Sequence, residues 1–214
     1  MATNASVLDL AMSRLGKRAS TRLRADVLLE INAAIDRLER GTFFPWFLEK
    51  TASLSFVIDD TFKAMPSDFA VEADESRPYF TLEGTVFYLT KRFHAALQAE
   101  VPNEIRFYAI LGNDLHIRKA ADIAFTLSVP YYARVTGNFV DDAADISNLW
   151  LIDAKDWVIY EALTTVAAVI VQNDALAIKM TTLAQKAQRD LYVFHESRVN
   201  INQDFVVGGS SDGT

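Results

Sequence analysis

Apolar residues recur at spacings of three and four near both ends of the chain and alternate at spacing two in its middle. Val7, Leu10, Ala11 and Leu15 predict a first helix. It begins near Ser6, where Ser6 and Asp9 have the spacing of a capping box, and stops at Gly16. Leu23, Val27, Ile31, Ala34, Ile35 and Leu38 form the stripe of a second helix over about residues 21–40, closed by Gly41. Toward the other end, Ile159, Leu163, Val166 and Ile170 predict a helix that Asp153 opens and that runs to about Gln172. Leu176, Met180, Leu183, Ala187, Leu191 and Phe194 predict a last helix, capped by Asn173 or Asp174 and ending near His195. The short connection between these two makes an antiparallel pair.

Residues 43–135 read as strands. Alternation marks Ser53–Ile58, Tyr79–Leu82 and, across a Glu83-Gly84 turn, Val86–Leu89. It marks Glu104–Tyr108 and Leu115–Arg118 as well, with the hairpin signal Gly112-Asn113-Asp114 between them, and then Ile123–Ala133. Lys91–Val101 has the pattern of a short helix set among the strands. All five prolines lie between 45 and 130, and no glycine occurs between 138 and 207, which leaves the two ends of the chain free to be helical. The expected architecture is α+β. It is an antiparallel helical bundle made from the N- and C-terminal helices (6–40 and 147–195), with a β-rich central insertion (43–135). One domain is expected over residues 1–198, followed by an extended C-terminal arm over 199–214. The arm is polar apart from Phe205-Val206-Val207 and cannot build a core of its own.

Composition narrows the function classes. Half of the 214 residues are hydrophobic and 23% are charged, which excludes a disordered or fibrous chain. Cysteine is absent, so disulfides, thiolate metal sites and cysteine nucleophiles are excluded. A net charge of −7 disfavours a sequence-specific reader of duplex DNA. No stretch has the pattern of a targeting signal, and the apolar run Val166–Val171 is far too short to span a bilayer. The expected setting is the cytoplasm, without a membrane.

Motifs of catalysis are missing. No GxGxxG, P-loop or GxSxG segment occurs. His195-Glu196 starts like a zinc-protease motif, but Val199 stands where the second histidine is needed, and His195 reads as a helix C-terminal residue. His94 and His116 read as lone structural histidines. Carboxylate pairs suited to glycoside hydrolysis are Asp59-Asp60, Asp141-Asp142 with Asp145, and Glu72 with Asp74-Glu75, all in predicted turns. No catalytic residue, cofactor or metal is assigned. The basic run Arg14, Lys17, Arg18, Arg22 and Arg24 lacks the aromatic residues that nucleic-acid stacking uses, and fits an interface with an acidic surface of a neighbouring copy. Asp141, Asp142 and Asp145, with Asp153, Asp156 and Glu161, are candidates for that surface. Phe43, Phe44, Trp46 and Phe47 form a dense aromatic run, and Trp150 and Trp157 follow in the last third. Core packing accounts for most of these, with part of the 43–47 run available for an oligomer contact.

Four stretches, taken in order, resemble the head–tail adaptor family of tailed phages. They are the opening helix ending Leu15-Gly16, before a basic second helix; Met65-Pro66-Ser67-Asp68-Phe69; Pro130-Tyr131-Tyr132-Ala133 with the later Ser147-Asn148-Leu149-Trp150-Leu151; and Asp156-Trp157-Val158-Ile159-Tyr160-Glu161-Ala162-Leu163, followed by the Asn173-Asp174 break. Lys155 stands where the family often has proline, Met65 replaces a leucine, and Lys91–Val101 has the look of an insertion. The resemblance implies a structural virion protein at the head–tail interface, made in the host cytoplasm. It implies a ring, usually of twelve copies, docked beneath the portal protein. Such a ring extends the channel for double-stranded DNA, without sequence-specific binding, and offers a platform to tail or nozzle proteins. The portal-binding arm would be Asn200, Ile201, Phe205, Val206 and Val207, and contacts between subunits would use Arg14, Lys17, Arg18, Arg22, Arg24, Asp141, Asp142 and Asp145. Two alternatives stand beside it: a carboxylate-based cell-wall hydrolase, and a small cytoplasmic helical interaction protein.

Overall fold

The structure is a computed structural model. It describes residues 4–16, 20–41, 43–73, 76–99, 105–118, 121–135, 139–140 and 148–207, with side chains described for all of these but 4–6, 98–99 and 199–207. The chain mixes helix and sheet and divides into two compact units: Met1–Phe47 with Val135–Thr214, and Leu48–Arg134. In chain order, the first unit opens with α1 (Asn4–Leu15) and α2 (Thr21–Glu39). The central unit holds β1 (Glu49–Phe56), β2 (Phe62–Ala64), β3 (Phe69–Glu72), β4 (Tyr79–Leu82), β5 (Thr85–Tyr88), β6 (Thr90–Lys91), α3 (His94–Ala99), β7 (Phe107–Leu111), β8 (Asp114–Ile117) and β9 (Phe125–Ala133). The first unit then resumes with α4 (Leu149–Asp153), α5 (Lys155–Thr165), a π-helical turn (Val166–Ile170) and α6 (Asp174–Val207).

The central unit is built on β9. Its alternate residues Phe125, Leu127, Val129, Tyr131 and Ala133 are buried, and β1 pairs antiparallel along its length from Glu49↔Tyr132 to Phe56↔Phe125. The other edge of β9 is shared: β4 meets it at Leu127 and Ser128, and β3 at Tyr131–Ala133. A second sheet runs β2-β8-β7-β6. Phe56, Phe80 and Phe125 centre the apolar core, with ring centroids 5.1 Å apart for Phe56–Phe125 and 4.7 Å for Phe80–Phe125.

The Glu83-Gly84 turn forms as expected. Both residues have positive φ (49° and 82°), the backbone of a two-residue hairpin loop that matches strand twist. A Cβ at Gly84 would meet nothing within 4 Å, so only backbone strain opposes a side chain there. Gly84→Ala is expected to cost about 1 kcal/mol, read as a lower urea midpoint with an unchanged slope. Other edges differ from expectation. The strand expected over Ser53–Ile58 starts at Glu49 and stops at Phe56, because Asp60 accepts the Val57 N–H (2.7 Å) and Asp59 turns the chain at φ 71°. The strand expected from Glu104 starts at Phe107, and the short helix starts at His94 because Thr90–Lys91 joins the second sheet as β6.

In the helical unit, α1 begins at Asn4, so Ser6 lies inside the first turn and is not a cap; Asp9 pairs with Arg24 instead. Gly16 stops α1 at φ 63°. Ser20 caps α2 by accepting the Leu23 N–H (3.1 Å), and α2 buries Val27, Ile31, Ala34 and Ile35. Asp153 does not open a long helix. It ends α4, which Asn148 caps through the Trp150 N–H (3.0 Å). α5 buries Trp157, Val158, Ile159, Ala162 and Leu163. It widens into the π-helical turn, where the Val171 N–H reaches the Val166 carbonyl (2.9 Å). Gln172 then reverses the chain at φ 54°, and Asn173 caps α6 by accepting the Leu176 N–H (3.0 Å). α6 buries Met180, Ala184 and Leu191 along one side.

α6 does not end near His195. It continues through Val207, so Asn200, Ile201, Phe205, Val206 and Val207 lie on helix, not on an extended arm. Polar side chains do not stop a helix. The first glycine after the start of α6 is met only beyond its end, at Gly208-Gly209. Residues 208–214 lie outside the described residues.

Candidate interaction surfaces

A cleft of about 670 Å³ opens on the helical unit. α1 contributes Leu10 and Arg14, the 43–47 segment contributes Trp46, the α4–α5 corner contributes Ile152–Trp157, and α6 contributes Ala187, Asp190, Leu191 and Phe194. Arg14 is fixed on one wall. Its Nη2 donates to Asp156 Oδ1 at 2.8 Å, and its guanidinium lies 4.4 Å from the Tyr160 ring centre. Each partner also suits its own helix, with the base in the last turn of α1 and the acid in the first turn of α5. On the opposite side Trp46 packs against Phe194 (4.9 Å) and Phe47 (5.4 Å), while Arg198 lies 5.1 Å from the rings of both Trp46 and Phe194. Burial pushes the Asp153 carboxyl up, and the charge of Arg198 opposes that shift. Ile152 and Phe194 remain about half exposed. Aromatic walls with a few charged groups suit docking of protein side chains.

The expected interface residues separate. Arg14 and Arg24 are engaged within the chain, by Asp156 and Asp9. Asp156, expected on the acidic side of a contact between copies, is thus used inside one copy. Arg22 is exposed at the start of α2, beside a groove that also exposes Val169 and Ile170. Lys17, Arg18, Asp141, Asp142 and Asp145 lie outside the described residues, as do Asp74 and Glu75. Two of the acids suited to hydrolysis are tied down. A hydrogen bond from Lys63, then the Val57 N–H, holds the Asp60 carboxyl below its ordinary range, and the nearly buried Glu72 accepts Lys91 Nζ at 2.6 Å.

The histidines also sit differently from expectation. His195 lies within α6, not at its C-terminus, with its ring 5.4 Å from Phe43 and 6.3 Å from Trp46. The dipole role is therefore replaced by aromatic packing. His94 and His116 are not isolated, since their rings lie 5.0 Å apart. Phe43 stacks on Tyr192 at 3.8 Å. Among the described residues, no group of three or more His, Asp or Glu is placed to hold a metal ion, and no helix is long and apolar enough to cross a membrane.

Asp68 joins two segments far apart in sequence. Its carboxylate accepts Lys50 Nζ (2.7 Å) and the Tyr131 hydroxyl (2.9 Å), and its carbonyl accepts the Arg134 N–H (2.7 Å). The hydrogen bond from Lys50, reinforced by Tyr131, holds the Asp68 carboxyl below its ordinary range. Burial, and then Asp68 itself, push the Tyr131 hydroxyl up to about 12. Nothing in the sequence pattern announces the Asp68–Tyr131 pair, and the sequence offers Arg14 and Asp156 as complementary charges only between copies, because each pair joins residues of separate elements. No protein-family model matches the chain, and no curated protein matches it in sequence.

Proposed function

We propose that the chain is a head-to-tail adaptor of a tailed phage: a structural virion protein whose copies form a ring, of twelve, beneath the portal. In this reading the helices from both chain ends form the bundle of the ring body, and the segment 48–134 is the β-rich insertion. The ring extends the DNA channel and offers a platform to tail or nozzle proteins.

One observation supports it most. The stretches that carry the family resemblance meet in pairs. Met65–Phe69 meets Pro130–Ala133 through Asp68 and Tyr131, and Phe69 packs 5.9 Å from the Tyr131 ring. The end of α1, just before Gly16, meets Asp156–Leu163 through Arg14, Asp156 and Tyr160. Residues that share a contact are the ones a fold retains together, which is how an ordered set of short resemblances arises.

The test is native mass spectrometry of the chain mixed with the portal ring of its own phage. Twelve copies on one portal ring are expected; no association with an intact portal ring overturns the reading. The portal-binding segment is the end of α6, from Val199. Deleting residues 199–214 is expected to abolish loading while removing only the last nine residues of α6 from the helix content and leaving the thermal midpoint close to that of the full chain. Undiminished loading would move the portal contact elsewhere.

A further inference from the structure

We infer that the open edge of β5 pairs with β5 of a second copy of this chain, antiparallel and about a twofold axis at Phe87. β5 ends its sheet, with β4 on one side and no strand on the other among the described residues. The hairpin fixes which backbone groups face outward. Leu89 donates to the Pro78 carbonyl (2.8 Å), so in the same register Thr85 and Phe87 turn their backbone groups toward β4. Val86 and Tyr88 turn theirs away from β4, and neither backbone has a hydrogen-bond partner among the described residues. The side chains are uncovered as well: Val86 is 45% exposed, Phe87 42% and Tyr88 62%. A groove of about 740 Å³ runs beside this edge, with Leu82, Phe87, Ile105, Phe107 and Ile123 among its walls. The other sheet ends are guarded. β1 carries Glu49 and Lys50, β2 carries Lys63 and β6 carries Lys91, the kind of charge that blocks edge pairing, whereas Thr85–Tyr88 has neither charge nor proline.

The occupant is a second copy because this edge is complementary to itself. With Phe87 on the axis, Val86 of each copy stands opposite Tyr88 of the other, and each such pair exchanges both of its N–H···O bonds. The two Phe87 side chains meet in the closer, non-hydrogen-bonded position on one face, and aliphatic meets aromatic on the other; both are favourable cross-strand pairings. Charge agrees with the direction. Glu83 precedes the strand and Lys91-Arg92 follow it, so an antiparallel copy sets the acid of each toward the bases of the other, while a parallel one sets like against like. A strand of an unrelated protein has no reason to reproduce both the register and this polarity.

The area sets the strength. The three side chains expose roughly 300 Å² per copy, about 600 Å² in the pair, which is about half of what small stable interfaces bury. The pair is therefore weak, with a dissociation constant of about 0.1 mM, and fills only where copies are crowded. A twofold contact uses the same edge on both copies, closes at two and builds no ring, so the inference is independent of the adaptor reading.

The test is sedimentation equilibrium of the full chain from about 0.01 to about 1 mM, with amide hydrogen exchange at both ends of that range. The average mass is expected to rise from that of one chain toward that of two, and no further. The Val86 and Tyr88 amides should gain protection at the higher concentration, while Thr85 and Phe87, bonded to β4, are protected at both. Val86→Pro removes an outward donor and leaves the β4 ladder intact, so it should weaken pairing at least about tenfold with circular dichroism unchanged. Val86→Lys repeats the test if the proline variant fails to fold. Ile178→Ser removes a 68% exposed apolar side chain from the helical unit and should leave pairing as it is. A monomer throughout, growth beyond two copies, unchanged pairing in a folded β5 variant, or equal loss in Ile178→Ser would overturn the inference. So would protection of Val86 and Tyr88 at the lower concentration, which would mean that a segment of the same chain covers the edge. Pairing by a chain that never loads a portal ring would support the inference and sink the adaptor reading; loading by a chain that never pairs would do the reverse.

Discussion

Trp150→Ala is expected to cost the helical unit about 4 kcal/mol, near the upper end for truncating one side chain in a core. Trp150 is fully buried, with Phe47 edge-on at 5.3 Å and Trp157 at 6.0 Å. Its indole N–H donates to Glu39 Oε1 at 3.2 Å, the oxygen that also accepts the Val135 N–H at 2.8 Å. Alanine removes the rings' common neighbour and leaves a cavity at the corner where α4 turns into α5. Glu39 keeps the Val135 N–H, so the cavity dominates the loss. For a chain of this size the thermal midpoint should fall by about 8–16 °C. Trp150→Phe keeps most of the volume and should lose less than half as much. Far-UV circular dichroism during urea unfolding measures both. A loss below about 1 kcal/mol for the alanine variant would show that the site collapses around the cavity.

The second large effect is at Asp68 and Tyr131, and it depends on pH at both ends of the scale. Tyr131 is nearly buried, and Asp68 is the acceptor of its hydroxyl. Asp68→Ala strands that hydroxyl and releases Lys50, for an expected loss of about 2–3 kcal/mol at neutral pH. The Asp68 carboxyl is held below its ordinary range, so its contribution is present above the unfolded value and is lost as pH falls through the folded one. Tyr131 behaves in the opposite sense. Its hydroxyl is raised from 10.0 to about 12, so the unfolded chain ionises first and stability falls as pH rises across that interval. Two pH units correspond to about 2.7 kcal/mol. Tyr131→Phe should flatten the alkaline limb and keep most of the acid limb, because Lys50 still pairs with Asp68. An alkaline limb as steep in Tyr131→Phe as in the parent chain would mean that some other group sets it.

Local signals in the sequence are reliable where one or two residues decide the backbone. Glu83-Gly84 forms its hairpin and Asn173 caps α6 because each needs only its neighbours. The helical ends and the strand-rich middle follow from the positions of proline and glycine. What is not legible depends on partners distant in sequence. β2, β3 and β6 are two to four residues long and exist because β8, β9 and β7 offer edges to them. Asp153 and Asn148 are both good caps, and burial of Trp150 and Leu151 selects Asn148. The π-helical turn has no sequence signature, because its five residues, Val-Ala-Ala-Val-Ile, suit an α-helix equally well. Polarity misleads at the C-terminus: the segment after His195 has the composition of an arm, although no residue before Gly208 ends a helix. The candidate surfaces are half visible: the charges can be counted in the sequence, but not which of them are already neutralised.

The way the central unit leaves the rest of the chain has an evolutionary consequence. Its first and last strands, β1 and β9, are antiparallel neighbours, and Glu49 is paired with Tyr132. The chain therefore goes out and comes back through two points about 5 Å apart. A gap of that size can be closed by a short turn, so residues 48–134 form a cassette. A segment exchanged for it would need only to bring its two ends about as close together. Among descendants of one ancestor, the helical halves should then diverge slowly and together, while the cassette is replaced wholesale, giving proteins that share a body and differ in what they carry.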